Sequence, residues 1–441
     1  MKQNIRVFNV LPGLAVVLAI LFFGAISAHA VEIQKVESPG GIEAWLVEDH
    51  TVPIVALNFS FDGGSAQDPV GKEGLTRLLA ATLDEGAGEL TSEAFQARME
   101  ELVISIGFST GKDRFYGSLR TLTSTVKEST DLLSLALSDP RFDETPVERM
   151  KVQLTAQAKR SETDPNSIAG RALANAMFGD HPYSRPTIGT IDTISTLSPN
   201  DLQSHHQNIL SRKGLKIGVV GAINAKTLKP LLDKVFGSLP VASNITEIAE
   251  LAPKTGENIH AELDVPQTNI LIGLPGIKRE DPDYPAAFVM NHILGGGTFT
   301  SWMYQEVREK RGLSYGAGTS LSPYKATGLL IGSAATKADR ANETVTVMLG
   351  QLERMASDGP TKAELDAAKQ FLVGSYPLRF DSSGKIARQL VALQNAELGM
   401  DYFDRRNSEI EAITLEDLQR VAKRLLADKK PTVIQVGPKQ S

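Results

Sequence analysis

The chain has 441 residues and a formal net charge of −6 at pH 7. Hydrophobic residues make up 41% and charged residues 22% of the sequence, which is typical of a folded protein with a large core. No basic tract stands out, which argues against a nucleic-acid binder, and the lack of cysteine excludes disulfides and a thiol nucleophile.

The N-terminus has the pattern of an export signal. Two basic residues precede an apolar run, and the run ends in Ala-His-Ala at 28–30. We predict a signal peptide over 1–30, cleavage after Ala30, and a periplasmic or otherwise exported protein without membrane contact. The alternative is an uncleaved anchor, because 10–28 is nearly long enough to span a bilayer.

Strand and helix patterns alternate after this segment. Two β-rich runs, 41–49 and 52–63, are separated by a polar turn and predict a β-hairpin. A helix is predicted from about Gly71, because four residues at helical spacing share one face: Leu75, Leu78, Leu79 and Thr82.

The next elements are a strand over 113–122 and helices over 125–138 and 145–164. Thr145 is the predicted N-cap of the last helix, with Pro146 at its first position. Early strands followed by helices predict an α+β fold, in which helices cover one face of a mostly antiparallel sheet.

The sequence repeats its own landmarks. Val-Pro at 52–53 and Asp-Pro at 68–69 recur at 265–266 and 281–282, both offset by 213 residues (265 − 52 and 281 − 68). Farther along each half, "LSPNDLQ" matches "ITLEDLQ", and each is followed by a β-rich run that ends in Val-Gly. We conclude that one fold of roughly 200 residues occurs twice.

The repeat fixes the predicted domains. The first covers 31–239 and the second covers 265–441. The segment 240–264, rich in polar residues, Pro and Gly, is predicted to be a linker. At this length it would let the two homologous domains face each other as a clam and serve as its hinge.

Two segments carry a resemblance to a known family. "HPYSRPTIGT" (181–190) and, above all, "LGGGTFTSWMYQEVREKRGLSYGAG" (294–318) resemble the pitrilysin-like, or M16, zinc peptidases. The likeness is greatest to the short bacterial members and the subunits of the mitochondrial processing peptidase. It extends over essentially the whole chain after the signal segment.

The resemblance implies a metal site that this chain lacks. Active members carry H-x-x-E-H on the first helix, where two histidines four residues apart bind zinc and the glutamate polarises a water molecule. A later helix supplies one more glutamate. The corresponding positions here hold no such ligands: Arg77, Ala80, Ala81 and, by an ungapped count, Gln157. The seven scattered histidines suggest no relocated site, so no cofactor is expected in this chain.

The second half retains a different functional motif of the family, the pair of residues that binds the substrate peptide. In the family, an arginine and a tyrosine seven residues later hold the scissile peptide, and Arg308 and Tyr315 have that spacing. Both groups are hydrogen-bond donors suited to a developing oxyanion. The alternative is a surface charge and a packed strand tyrosine. Trp302 and Met303, on the same predicted helix, are expected to contact the core or a partner.

The glycine run and the histidine of the 181–190 loop can each be interpreted as structural or as functional. Three consecutive glycines either form a flexible start of the helix or help bind extended peptide: Gly295, Gly296 and Gly297. His181 is expected to belong to a structural turn rather than to a catalytic group.

The metal motif is lost, whereas the Arg/Tyr pair is present. We therefore predict that this chain is the metal-free subunit of an exported zinc peptidase. A homologous partner chain with H-x-x-E-H and zinc would cleave peptides, and this chain would supply Arg308 and Tyr315. The alternatives are a non-enzymatic peptide-binding or assembly module on the same scaffold, and an active peptidase with unorthodox ligands.

Overall fold

The computed structural model describes residues 32–439, and the predicted signal peptide over 1–30 lies outside the described residues. From Ile33 onward the chain forms one compact unit. No helix in the described part of the chain combines the length and hydropathy that a membrane crossing requires.

The first half builds a six-stranded mixed sheet in the order β1-β2-β6-β3-β5-β4. All neighbouring strands are antiparallel except β2 and β6. The strands are β1 (Gln34–Glu37), β2 (Glu43–Glu48), β3 (Ile54–Asp62), β4 (Ser105–Thr110), β5 (Arg114–Leu122) and β6 (Lys216–Gly221).

The second half repeats this sheet without a counterpart of β1. Its order is β7-β11-β8-β10-β9, and β7 and β11 form its parallel pair. The strands are β7 (Asn258–Glu262), β8 (Gln267–Pro275), β9 (Ser314–Pro323), β10 (Gly328–Lys337) and β11 (Thr432–Gly437). The predicted internal repeat and the α+β class are therefore confirmed.

Helices of each half pack on one face of its own sheet, as predicted. The first half contains α1 (Leu75–Thr82), α2 (Ser92–Leu102), α3 (Val126–Ser138), α4 (Glu144–Thr163), α5 (Pro165–Phe178), α6 (Ile191–Ser195), α7 (Pro199–Ile209) and α8 (Ala225–Phe236). The second contains α9 (Tyr284–Asn291), α10 (Trp302–Tyr304), α11 (Ala341–Ser357), α12 (Lys362–Gly374), α13 (Ser383–Asn395), α14 (Tyr402–Ala412) and α15 (Leu415–Leu426). The N-cap of α4 is Asp143, so the predicted cap, Thr145, is wrong.

Two predicted features differ from the structure. The hairpin of 41–49 with 52–63 is wrong, because β6 lies between β2 and β3. Five of the six residues of β6 are buried, and such a strand takes a central position in the sheet. The linker predicted over 240–264 also ends in β7, which pairs with β11, so the second sheet starts before residue 265.

The second face of each sheet is covered by a helix from the other half. Helix α13 lies on β6 and β3, where Gln394 Nε2 donates to the carbonyl of Ile217 at 2.8 Å. Helix α5 lies on β8 and β11, with Leu173 and Met177 buried against the second sheet. This exchange joins the halves at both sheets, so the 240–264 segment is not their sole connection.

A glycine in each sheet makes room for the exchanged helix. A methyl group added at Gly218 of β6 would lie 2.5 Å from the carbonyl oxygen of Ala387 in α13. A methyl group at Gly273 of β8 would lie 2.4 Å from Met177 Sδ in α5. Glycine within a strand commonly marks such a close approach.

We expect Gly218→Ala to lower the free energy of unfolding by about 1–3 kcal/mol, because the helix backbone must move away from the sheet. Urea denaturation followed by tryptophan fluorescence measures this change. Gly316→Ala in β9 is the matched control, since its added methyl group meets nothing within 4 Å. An equal effect of the two variants would contradict the close packing of α13 on β6.

Candidate functional site

The positions expected to bind metal in an active relative lie at the contact between α1 and α4. Arg77 and Ala81 of α1 and Gln157 of α4 line one cavity of about 310 Å³. Ala80 instead packs in the core and is 4% exposed. The structure thus brings together three of the four positions that the sequence singled out.

These side chains do not fit a zinc ion. A guanidinium stays protonated and has no lone pair to offer, and alanine has no donor atom. The amide of Gln157 is the one ligating group among them. Within residues 32–439, no group of three or more His, Asp or Glu side chains is placed to hold a metal ion.

A buried polar network positions α1 although no metal ligand is present. Asp68 accepts hydrogen bonds from the backbone N–H of Gly74 at 2.9 Å and of Thr76 at 2.8 Å. The Thr76 hydroxyl donates to Asp68 and lies 2.8 Å from His205 Nε2. Asp68 belongs to the Asp-Pro landmark of the sequence repeat, but no local pattern in the sequence pairs it with His205.

The protonation states in this network follow from burial. Burial raises the pKa of Asp68 to about 6 and lowers the pKa of His205 to about 4. At pH 7 the carboxyl is therefore ionised and the imidazole is neutral. Because the Thr76 hydroxyl donates its proton to Asp68, it accepts one from His205, which assigns the proton to Nε2. The network is structural.

The loop 181–190 forms the structural turn that the sequence predicted. His181 Nδ1 accepts from the backbone N–H of Tyr183 at 3.2 Å. The Tyr183 hydroxyl donates to Asp113 and accepts from the N–H of Ala326 at 3.1 Å. Burial raises the pKa of Tyr183, so the phenol stays protonated. The turn thereby ties the first half to the β9–β10 connection of the second.

A chamber of about 1090 Å³ lies between the halves, and the sequence did not identify the residues that line it. Its walls come from β3, the β4–β5 hairpin, α13, the β9–β10 connection and the start of the segment after β8. Both cations and acids line it: Lys112, Arg114, Arg279, Lys325 and Arg388, with Asp113, Glu280 and Glu397. Strand β4 forms an edge of its sheet, so one side of its backbone pairs with no other strand in the described part of the chain.

The structure does not place Arg308 and Tyr315 in any of the three cavities described. Arg308 lies in a π-helical turn, donates to the Tyr304 hydroxyl, and its Nε lies 3.8 Å from Glu309. Tyr315 is the second residue of the edge strand β9 and is 85% exposed. Both side chains are accessible, and their roles stay predictions.

The glycine run is closely packed at two of its three positions. Gly295 and Gly297 are buried, and a methyl group at Gly295 would lie 2.3 Å from the backbone nitrogen of Thr319. Gly296 is exposed, and the peptide-binding role of the run stays a prediction. Trp302 and Met303 are buried in the core of the second half.

The sequence and the fold both match a known family. Residues 44–191 match the family description "Insulinase (Peptidase family M16)", and residues 196–372 match "Peptidase M16 inactive domain". The crystal structure of an M16 inactive domain from Pseudomonas fluorescens has a TM-score of 0.87 and 28% identity, and covers 92% of this chain and 98% of that chain.

The similar proteins include one that is named a non-peptidase and one that is named a peptidase subunit. A protein of Helicobacter pylori named "Non-peptidase homolog YmxG" is 27% identical over 334 residues, 75% of this chain and 77% of that protein. The mitochondrial-processing peptidase subunit beta of Dictyostelium discoideum is 22% identical over 402 residues, 87% of this chain and 84% of that protein. Together with two tandem matches and the shared fold, these similarities mean that the chain belongs to peptidase family M16.

Proposed function

We propose that this chain is the metal-free subunit of an exported M16 zinc peptidase. A homologous partner chain carrying H-x-x-E-H would hold the zinc ion and hydrolyse peptides. This chain would supply Arg308 and Tyr315 to the shared site. The relatives' names support a chain without peptidase activity of its own; the partner, the export and the pairing are our proposal.

One observation carries the proposal. The face of α1 and α4 that would bind metal holds Arg77, Ala81 and Gln157, whereas the peptide-holding pair is present and accessible. Tyr315 is 85% exposed although tyrosine buries much apolar area when it packs. An exposed tyrosine at the start of an edge strand is suited to a surface that a second chain completes.

The chemistry of the pair is donation to an oxyanion. When a peptide carbonyl is attacked, negative charge develops on its oxygen, and fixed N–H and O–H donors stabilise it. The guanidinium of Arg308 and the phenol of Tyr315 are such donors. Tyr304, whose hydroxyl accepts from Arg308, would hold the guanidinium in position. Neither residue can activate a water molecule, so the reaction depends on the partner's metal.

The chamber between the halves supports an extended peptide as the substrate. Its volume of about 1090 Å³ accommodates a few residues and excludes a folded domain. The unpaired backbone of β4 lies at its wall and can pair with a peptide backbone, as edge strands do with extended ligands.

A second candidate function is a non-enzymatic peptide-binding or assembly module. It is favoured by the position of Arg308 and Tyr315 outside the described cavities. In that case the chamber binds peptide and the pair contributes nothing to hydrolysis by any partner.

Restoring ligands on the α1–α4 face should restore metal binding. We expect Arg77→His/Ala81→His/Gln157→Glu to bind one zinc ion per chain, because two imidazoles and a carboxylate then converge on one cavity. Ala80 is left unchanged, since a glutamate there would be buried. Elemental analysis after dialysis measures the zinc, and the variant without Gln157→Glu should bind it more weakly. Equal zinc in the unaltered chain would contradict this account of the site.

Arg308 and Tyr315 should affect peptide hydrolysis only when the partner chain is present. With the partner present, Arg308→Ala and Tyr315→Phe should each lower kcat/KM for a peptide by about 10²–10³-fold, the usual cost of a lost oxyanion donor. Arg311→Ala is the matched control, because Arg311 Nη1 already pairs with Glu306 at 2.5 Å. Hydrolysis by the lone chain, or unchanged activity of both variants, would refute the proposed function.

A further inference from the structure

The cavity between α1 and α4 contains two arginines without an acidic partner. Arg77 and Arg160 both line it. Within residues 32–439, neither guanidinium forms a salt bridge or donates a hydrogen bond. Surface arginines of this chain commonly pair with nearby acids, as Arg149 does with Glu85. Two unpaired guanidinium groups at one cavity make it receptive to an anion.

A second cavity continues the same groove. It has a volume of about 670 Å³, shares Gln157 and Arg160 with the first, and adds Arg171. Asp164 also lines it, but Asp164 Oδ2 accepts from Ser167 N at 2.7 Å and from Ser167 Oγ at 2.6 Å. Arg171 Nη1 in turn donates to the carbonyl of Ser161 at 3.0 Å. The groove as a whole therefore carries the two unpaired guanidinium groups and one that donates to the backbone, against one engaged carboxylate.

The remaining lining residues indicate which anion fits. Beside the arginines, Met150, Leu154 and Ala81 provide an apolar wall, and Gln153 and Gln157 provide amides. The guanidinium groups match a carboxylate, the glutamine amides match a peptide group, and the apolar wall matches a side chain. A bare inorganic anion would leave the apolar wall unused. The cavity of about 310 Å³ can hold a terminal residue.

We propose that the groove between α1 and α4 binds the C-terminal carboxylate of a peptide. Positive charge from arginines then occupies the place where an active relative would hold its metal ion. This inference rests on the proposed function only in taking peptides as ligands, and it requires neither the partner nor zinc.

Isothermal titration of the full chain with N-acetyl-Ala-Ala-Leu tests the proposal. We expect the free acid to bind at least ten times more tightly than its C-terminal amide, since the amide cannot pair with a guanidinium. N-acetyl-Ala-Glu-Ala amide, which carries its only carboxylate on a side chain, should bind as weakly as the amide. Equal affinity of all three peptides, or tight binding of the side-chain acid, would overturn the assignment.

The arginines are tested separately. Arg77→Gln and Arg160→Ala should each weaken binding of the free acid about ten-fold or more, consistent with loss of a charge-assisted hydrogen bond. Lys159→Ala is the matched control, because Lys159 is an exposed cation on α4 outside both cavities. Unchanged binding by both arginine variants would overturn the proposal. The titration contains neither the partner chain nor zinc, so failure of this site is distinguishable from failure of peptide hydrolysis by the complex.

Discussion

The exchange of helices between the two halves is the constraint on which the rest of the structure depends. Helix α13 of the second half lies on the first sheet, and α5 of the first half lies on the second sheet. Gly218 and Gly273 permit both contacts at distances that a side chain would prevent. The chamber exists because α13 covers only part of the first sheet and leaves β4 and β5 open beside it.

The two faces of α1 explain how the residues at the metal-binding positions can differ without loss of the fold. The buried face of α1, with Leu75, Leu78 and Leu79, packs in the core, and Asp68 holds the start of the helix. Arg77 and Ala81 lie on the opposite, cavity-facing side. Substitutions on that side change what the cavity binds and leave the packing of α1 intact. The packing of α1 and the binding properties of the cavity therefore depend on different faces of one helix.

Features with a local or periodic signal were predictable from the sequence. The four residues assigned to one face of α1 are buried or nearly so, and the repeat of landmarks corresponds to two sheets of the same order. The prediction of a hairpin was wrong because β6, from a distant part of the chain, lies between β2 and β3. No local sequence pattern indicates that a strand will insert between two others. The α1–α4 cavity was predictable in part, since the resemblance identified Gln157 as the residue opposite Arg77.

Features that depend on distant contacts were not predictable. The apolar pattern of α5 indicates burial but not the sheet on which the helix lies. The chamber is assembled from segments hundreds of residues apart, such as Lys112 and Arg388. The packed state of the glycine run depends on Thr319 of β9, which the run itself does not reveal.

The central claim is that this chain can hold a peptide but depends on a second chain for zinc. Purification of the protein from its native cells, followed by zinc measurement on each separated subunit, tests it most directly. We expect a co-purifying homologue that carries the zinc, and no zinc on this chain. Stoichiometric zinc on this chain, or its isolation without any such homologue, would contradict the account.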